Sequence, residues 1–378
     1  MLKTILLSSA LSILPMVANA QHADHDAHDH HHHHQQHEEN KLGWVGHLDT
    51  RTYFTDIYSA EEKDEEISDI FTHSHADIGY YFNNGLSIQS SILLEGDPAG
   101  HSHGGGATRT GDRFFDDHPL FIEQLKLAYD TDNFGIYAGK FNPEIGKDVH
   151  DVQGWFGPLV FEEFDIRERV GFGGYINGDI EKIGQQRLDL STFFADTSFL
   201  SESLLYDRDT LDKGDGGVAN TQDLSSFALN LSGELGSQYL SYYAGYVHQS
   251  TDLQTEDDET RLVIGLDGHY DITPEMEINA MIDMTDINHL GGEVDHDRTY
   301  STIGLGINYN HWVIGGTYTD VNNQSPDPTE GMDGRITQFS VGYNFDNGFG
   351  IDVGHQTENQ EGETSDRLGG LIRYHADF

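Results

Sequence analysis

The chain has 378 residues, with 20 lysines and arginines against 65 aspartates and glutamates, so its formal net charge is −45. Such an acidic chain lacks the positive surface that phosphate groups require, and we therefore expect no nucleic-acid partner. The chain contains no cysteine, which excludes thiolate catalysis and cysteine-based metal sites. Its aromatic content of 11% argues against disorder as the general state of the chain.

The first 20 residues have the pattern of a secretory signal peptide. Lys3 supplies the positive n-region, residues 4–17 form an apolar stretch, and Ala18-Asn19-Ala20 is an A-x-A cleavage site. The apolar stretch is shorter than the about 20 residues that a membrane-spanning helix requires. We therefore expect export of the chain and cleavage after Ala20.

Residues 21–41 form a histidine-rich, low-complexity segment without apolar periodicity, which predicts a disordered tail. Imidazole is a common ligand of Zn²⁺, Cu²⁺ and Ni²⁺, so the tail is a candidate binding segment for Zn²⁺ or another divalent metal. The alternative is that it binds metal without a physiological role. His73 and His75, near the second strand, add further candidate ligands outside the membrane. The candidate metal-ligating histidines of the tail and of a glycine-rich loop are His22, His25, His28, His30, His31, His32, His33, His34, His37, His101 and His103.

From residue 42 to residue 378 the chain is a series of segments that alternate apolar and polar residues, which indicates strands with one apolar face. Phe227, Leu229 and Leu231, for example, alternate with Ala228 and Asn230. The predicted strands are 44–56, 69–82, 86–95, 119–130, 134–141, 167–177, 187–196, 223–235, 238–248, 260–271, 275–285, 299–309, 311–319, 335–345, 349–356 and 367–378.

The connections between these strands alternate between short turns and long polar segments. Turns such as 83–85 and 346–348 contain Asn, Asp and Gly, whereas segments such as 96–118 and 197–222 are long. This alternation is typical of an all-β transmembrane antiparallel β-barrel of about 16 strands, with long extracellular loops and short periplasmic turns. An even strand number places both chain ends in the periplasm.

The segment Asp366–Phe378 alternates strictly and ends on an aromatic residue, which favours a closing strand of an outer-membrane barrel over an edge strand of a soluble sheet. The segment Tyr137–Gly146, YAGKFNPEIG, resembles the AG(K/R)F.P..G segment of several Gram-negative porin groups, including phosphate-selective and siderophore-type porins. The resemblance covers residues 42–378. It implies an outer-membrane location, contact with lipid and lipopolysaccharide, recognition of the strand ending at Phe378 by the barrel assembly machinery, and a homotrimer.

The same resemblance makes residues 142–166 a constriction loop that folds back into the barrel. An acidic loop opposite basic strand faces would produce a transverse field that filters solutes by charge. The alternative is that the arginines pair with neighbouring acids such as Asp49, Asp267 and Asp377 and only fill the lumen. The predicted pore-lining residues are Arg51, Lys126, Glu144, Asp148, Asp151, Glu162, Glu163, Arg167, Arg169, Arg261, Arg367 and Arg373.

These features predict a porin that forms a passive diffusion channel for small hydrophilic solutes. Acidic loops favour cations or metal chelates, with zinc or iron uptake as candidates, and disfavour phosphate. The alternative is a non-conducting surface binding or adhesion barrel with a metal-binding tail. No known catalytic motif occurs in the sequence context that its chemistry requires. We therefore expect that the protein is not an enzyme, has no catalytic residues and requires no cofactor.

Overall fold

The computed structural model describes residues 42–61, 63–96, 111–208, 210–326, 333–360 and 363–378. The predicted signal peptide, the histidine-rich tail, His101 and His103 lie outside these residues. The strands are β1 (Gly43–Ser59), β2 (Ser68–Tyr81), β3 (Leu86–Glu95), β4 (Arg113–Phe114), β5 (Leu120–Asp130), β6 (Phe134–Phe141), β7 (Arg169–Ile180), β8 (Gly184–Ala195), β9 (Ser226–Glu234), β10 (Leu240–Gln249), β11 (Glu259–Thr273), β12 (Met276–Asn288), β13 (Asp297–Tyr309), β14 (Trp312–Gln324), β15 (Gly334–Asn344), β16 (Phe349–Gln360) and β17 (Glu363–Asp377).

Sixteen of these strands form one closed antiparallel sheet, which confirms the predicted fold class. Each barrel strand pairs with its neighbours in the chain, and β17 pairs with β1 in a register that places Arg373 opposite Arg51. Closure leaves no open sheet edge, as a barrel in lipid requires. All sixteen predicted strands are present, and the largest difference is at β14, which extends to Gln324 instead of ending at residue 319.

The sequence did not predict β4, a two-residue strand that pairs in parallel with β2. Arg113 of β4 forms two hydrogen bonds of 2.7 Å with the buried carboxylate of Asp69 on β2. This bidentate pair ties the end of a long loop to the barrel wall. Two residues are too few to produce an alternating pattern, so the sequence carried no signal for this strand.

Helical structure in the described part of the chain is limited to α1 (Gly157–Glu162) and four single-turn 3₁₀ segments, Lys63–Glu65, Val149–Asp151, Phe199–Ser201 and Leu290–Gly292. None of the described helices has the length and apolar character needed to cross a membrane.

The two faces of the sheet differ in the way that a barrel in lipid requires. On β9, Phe227 and Leu229 are 37% and 39% exposed, whereas Ala228 and Asn230 are 2% and 4% exposed. The exposed apolar side chains continue around the outer surface on almost every strand, for example Ile303 on β13 and the closing-strand residue Ile372. A continuous apolar exterior on a single chain is costly in water and is the expected surface of a transmembrane barrel.

Aromatic side chains gather at the short-turn end of the barrel. Trp44 lies edge-on to Tyr80, with ring centroids 5.1 Å apart, and Trp312 lies edge-on to Tyr343 at the same separation. Trp44 and Trp312 are exposed on the outer surface. Aromatic residues of this kind are favoured at the interface between lipid and water, so these rings mark the membrane boundary at this end of the barrel.

The inner face of the barrel is not uniformly polar. Met281, Ile287, Val321 and Ile336 on β12, β14 and β15 point inward and are at most 3% exposed. They belong to an apolar cluster with side chains of the connection between β6 and β7. That connection therefore packs against an apolar patch of the wall. One side of the lumen is a packed core rather than a solvated surface.

Candidate pore constriction

The connection between β6 and β7, residues 142–168, begins and ends at a polar anchor. Lys140, the last but one residue of β6, is fully buried and forms ion pairs with Glu168 at 2.7 Å and Asp196 at 2.9 Å. Asn142 donates to Glu123 at 3.0 Å, and its side-chain oxygen accepts from the backbone N–H of Glu168 at 2.9 Å. These contacts close the base of the loop, which we name the inner loop.

From this base the inner loop runs into the barrel and contacts the wall formed by β9 to β11. The backbone N–H of Gly146 donates to Asn230 at 3.2 Å, and Lys147 forms an ion pair with Asp267 at 2.8 Å. Asn230 and Asp267 lie near the middle of β9 and β11. The loop therefore enters the lumen at mid-depth.

A 3₁₀ turn then carries the loop to the wall formed by β1 and β2. Asp148 accepts a hydrogen bond of 2.8 Å from the backbone N–H of His150 and so caps the turn. Arg51 of β1 donates to His150 Nδ1 at 3.1 Å. The pKa of His150 lies well below its usual value because burial and the nearby Arg51 guanidinium both disfavour the charged ring.

Trp155 fixes the middle of the inner loop against β16 and β17. Its ring lies over Gly354 and Gly369, which are cross-strand partners, and a Cβ atom at either position would overlap the indole. Tyr53 of β1 lies beside the ring at 5.4 Å, and the backbone N–H of Trp155 donates to Ser340 of β15 at 3.2 Å. Two glycines in register thus create a flat seat for one large side chain.

The short helix α1 follows, and all six of its residues are buried. Pro158 stands in its first turn, where the missing N–H costs nothing. Beyond α1, Glu163 accepts a hydrogen bond of 2.9 Å from the Tyr300 hydroxyl, and Arg261 donates to the carbonyl of Phe164 at 2.5 Å. The inner loop therefore spans the lumen and contacts opposite walls.

The structure places most predicted basic residues on the inner wall and gives them nearby partners. Arg51 pairs with Asp49 at 2.8 Å, Arg261 with Glu259 at 2.6 Å, and Arg373 with Asp352 at 2.8 Å. Arg169, Arg367 and Lys126 also face inward: Arg169 donates to Gln249 at 3.0 Å, Arg367 is 4% exposed, and the Lys126 ammonium lies 5.6 Å from the Tyr137 ring centroid.

Arg167 corrects the expected boundary of the inner loop, because it precedes β7 instead of lying on it. Its guanidinium lies 2.9 Å from Asp165 and 3.6 Å from Glu162, both within the loop, and 3.6 Å from Glu95 of β3. The loop thus runs to residue 168 rather than 166, and part of its acidic charge is balanced by its own arginine.

Of the acids expected to face a basic wall, several have other roles. Lys147 reverses the expected polarity, because this loop cation meets the wall acid Asp267. Glu163 is a half-buried carboxyl whose pKa desolvation raises to about 7, whereas Glu144 is exposed. Asp148 caps the 3₁₀ turn, and Asp151 lies at its end, half-buried. The inner loop therefore carries less negative charge at neutral pH than its composition indicates.

The sequence predicted that His73 and His75 are candidate ligands outside the membrane. The structure corrects this prediction, because both residues lie inside the barrel. Both lie on the inner face near the middle of β2, and His150 of the inner loop lies beside them, with ring centroids 6.2 and 5.5 Å away. Their i, i+2 spacing on a strand signals one shared face. Nothing in the sequence indicates which face that is, or that residue 150 joins them.

No family model and no curated protein matches this sequence. Solved structures do resemble it. The outer-membrane channel DcaP of Acinetobacter baumannii is 11% identical, with a TM-score of 0.53 over 89% of this chain and 99% of that chain. The chain has the fold of an outer-membrane channel. OpdK of Pseudomonas aeruginosa, solved with vanillate, is 9% identical over 89% and 99% of the chains, with a TM-score of 0.52. The trimer form of OmpT from Vibrio cholerae is 13% identical over 89% and 100%, with a TM-score of 0.51. Identities this low indicate shared fold alone.

Proposed function

We propose that this protein is a passive diffusion channel of the bacterial outer membrane for small hydrophilic solutes, with a preference for cations or metal chelates. The observation that carries the proposal is the inner loop, which crosses a closed 16-stranded barrel at mid-depth and narrows it. A barrel of this strand number is wide enough to leave a water-filled passage unless a loop restricts it. The similar solved channels support the same function.

The preference for cations rests on charge. The net charge of −45 and the acidic connections, such as residues 61–66 and 256–259, give the mouth a negative potential that attracts cations and repels anions. The paired lumen charges, such as Arg51 with Asp49, contribute little net field. The selectivity therefore originates at the acidic mouth rather than at a basic wall.

Single-channel recording in planar lipid bilayers tests this proposal. We expect stable open steps and, in a salt gradient, a reversal potential that indicates cation over anion passage. A folded protein that inserts and gives no conductance would overturn the channel function.

A second candidate is a non-conducting surface barrel, and one observation favours it. The buried helix α1 and the apolar cluster around Val160, Phe161 and Phe164 fill part of the lumen. The same recording separates the two candidates, because this barrel would bind solutes or surfaces without passing current. In either case we propose no catalytic activity.

For residues 21–41 we propose capture of Zn²⁺ or another divalent metal on the periplasmic side, after export and cleavage behind Ala20. Nine histidines in a short segment support this role. Deletion of residues 22–37 is expected to slow growth under zinc limitation while leaving growth in zinc-replete medium unchanged. Equal growth of both strains under limitation would refute the metal role.

We further propose that the barrel contacts outer-membrane lipid and lipopolysaccharide, enters the membrane through the barrel assembly machinery, and forms a homotrimer. The apolar exterior supports the lipid contact, and the trimer form of the Vibrio cholerae protein supports the oligomer. Crosslinking of the protein in native outer membranes, followed by electrophoresis without heating, distinguishes a trimer from a monomer.

A further inference from the structure

Three histidine rings converge inside the barrel, where the inner loop meets β2. His73 and His75 occupy adjacent inward positions of β2, and His150 stands on the capped turn of the loop. One ring nitrogen from each of the three lies within 4.8 Å of the other two. His73 Nε2 and His75 Nε2 are 2.6 Å apart and share a hydrogen bond, so an ion that binds both nitrogens would take the place of the proton between them.

Carboxylates lie behind the two strand histidines. His73 Nδ1 is 2.9 Å from Glu95 of β3, and His75 Nδ1 is 3.6 Å from Glu123 of β5. A carboxylate at Nδ1 holds the proton on that nitrogen and leaves the Nε2 lone pair free, which is the arrangement that supports metal-bound histidine in proteins. Glu95 therefore orients the His73 ring for a metal ligand, whereas Glu123 lies beyond hydrogen-bond distance of His75 and acts through its charge alone.

We propose that His73, His75 and His150 form a binding site for a divalent transition-metal ion of the zinc class. Three imidazole nitrogens suit Zn²⁺, Cu²⁺ or Ni²⁺, whereas Mg²⁺ and Ca²⁺ prefer oxygen ligands. Zinc–nitrogen bonds of about 2.0–2.1 Å place tetrahedral ligands roughly 3.4 Å apart, so binding requires only small ring movements from the present separations. Three protein ligands leave a fourth position for water or a solute, which permits exchange.

A second set of groups nearby is less suited to an ion. His73, Glu95 and Glu162 also bring ligand atoms within 4.8 Å of one another. However, the Arg167 guanidinium lies 3.6 Å from each of the two carboxylates and balances their charge. The three-histidine set is therefore the metal site, and Glu95 supports it from behind.

Arg51 sets the affinity of this site. It donates to His150 Nδ1 at 3.1 Å, so it competes with an ion for that ring and adds a positive charge next to the bound metal. The result is a site of moderate affinity. In a channel, moderate affinity is useful because an ion must enter a binding site and also leave it. This role in permeation rests on the proposed channel function, whereas metal binding itself does not.

Crystals of the full chain soaked in ZnCl₂ test the site directly. We expect an anomalous-difference peak, collected at the zinc absorption edge, between the rings of His73, His75 and His150. Zinc bound elsewhere on the chain, with no peak at these rings, would overturn the proposal.

Calorimetric titration of the detergent-solubilised full chain with ZnCl₂ gives a second test, because the tail is the same in every variant. We expect His75→Ala to remove one bound ion, Glu95→Gln to weaken the site about tenfold, and Arg51→Gln to tighten it. His269→Ala, an inward strand histidine on β11, is the control and should match the wild type. Identical titrations of the His75→Ala and His269→Ala proteins would refute the site. Unchanged electrophoretic mobility of unheated samples shows that each variant is folded.

Zinc added during bilayer recording separates the two proposals. If wild-type current shows brief zinc-dependent blocks that His75→Ala removes, both the channel and the site stand. A conducting protein whose titration lacks the site keeps the channel and refutes the metal proposal. A protein that binds zinc at the three rings and never conducts keeps the site and refutes the channel.

Discussion

Trp155→Ala should loosen the inner loop without opening the barrel. Trp155 is 5% exposed, stacks on Phe156 with ring centroids 3.7 Å apart, and rests on Gly354 and Gly369. Truncating a buried tryptophan costs about 3–5 kcal/mol. Most of this cost falls on loop docking, because strand pairing around the barrel does not involve this side chain. A loss of about 3 kcal/mol reduces the ratio of docked to undocked loop about 100-fold.

The assay is single-channel recording of the wild type and the variant under identical salt. We expect larger and noisier open steps for Trp155→Ala, because a loop that leaves its seat widens the narrowest part of the lumen. Gly369→Ala should act in the same direction, since its added methyl group overlaps the indole. Trp312→Ala is the matched control, because Trp312 is 48% exposed on the outer surface, and its steps should equal those of the wild type.

One result would refute this reasoning. If Trp155→Ala is folded and gives steps of wild-type size and noise, the inner loop does not define the narrowest part of the conducting path. A matching change in Trp312→Ala would show that the assay reports general barrel damage instead of loop position.

Two further predictions concern charge. Desolvation raises the pKa of the half-buried Glu163 carboxyl to about 7 from an ordinary 4.5, so this group ionises as the pH rises through 7 and adds negative charge to the lumen. Cation preference, measured as reversal potential, should therefore increase between pH 6 and pH 8, and a Glu163→Gln variant should show a flatter profile; an unchanged slope in that variant would exclude this carboxyl. Lys140→Met leaves the buried carboxylate of Asp196 without its ion-pair partner, and it should cost about 3–5 kcal/mol, seen as a lower temperature for loss of the unheated electrophoretic form; a Lys63→Met control, on an exposed lysine, should leave that temperature unchanged.

The barrel could be predicted from the sequence because lipid enforces a strict rule on every strand. Alternate residues must be apolar, and short turns of Asn, Asp and Gly mark where each hairpin ends. Where both signals are strong, the limits agree: β3 (Leu86–Glu95) and β6 (Phe134–Phe141) begin and end at the predicted residues. At β14 the alternating pattern continues beyond residue 319, so the predicted end is too early.

The inside of the barrel followed no such rule. Trp155 is seated by Gly354 and Gly369, about two hundred residues further along the chain, and only the closed sheet brings them together. The alternation placed His73 and His75 on one face, but the third ring came from a loop without periodicity. The charges were predicted by type and position, whereas their partners depended on strand register and on the path of the inner loop.

The apolar part of the inner wall indicates how the loop behaves. Met281, Ile287, Val321 and Ile336 face the lumen and would meet water if the loop left them. Burying a side chain of this size stabilises the docked loop by about 1.5–3 kcal/mol. The four side chains together therefore contribute much more than the thermal energy to loop docking. The loop therefore remains docked on that side, and passage is controlled in the gap that remains and not by opening of the loop.

The opposite edge of the loop has a different kind of attachment. There the turn at His150 is held by polar contacts, with Arg51 as its partner across the gap and Asp148 as its cap. A metal ion shared by His150 and the β2 histidines would link this edge to the wall, because one ligand bond holds the loop and the other two hold β2. Metal binding thus acts on the less firmly packed edge of the loop, which is where a ligand can change the shape of the passage.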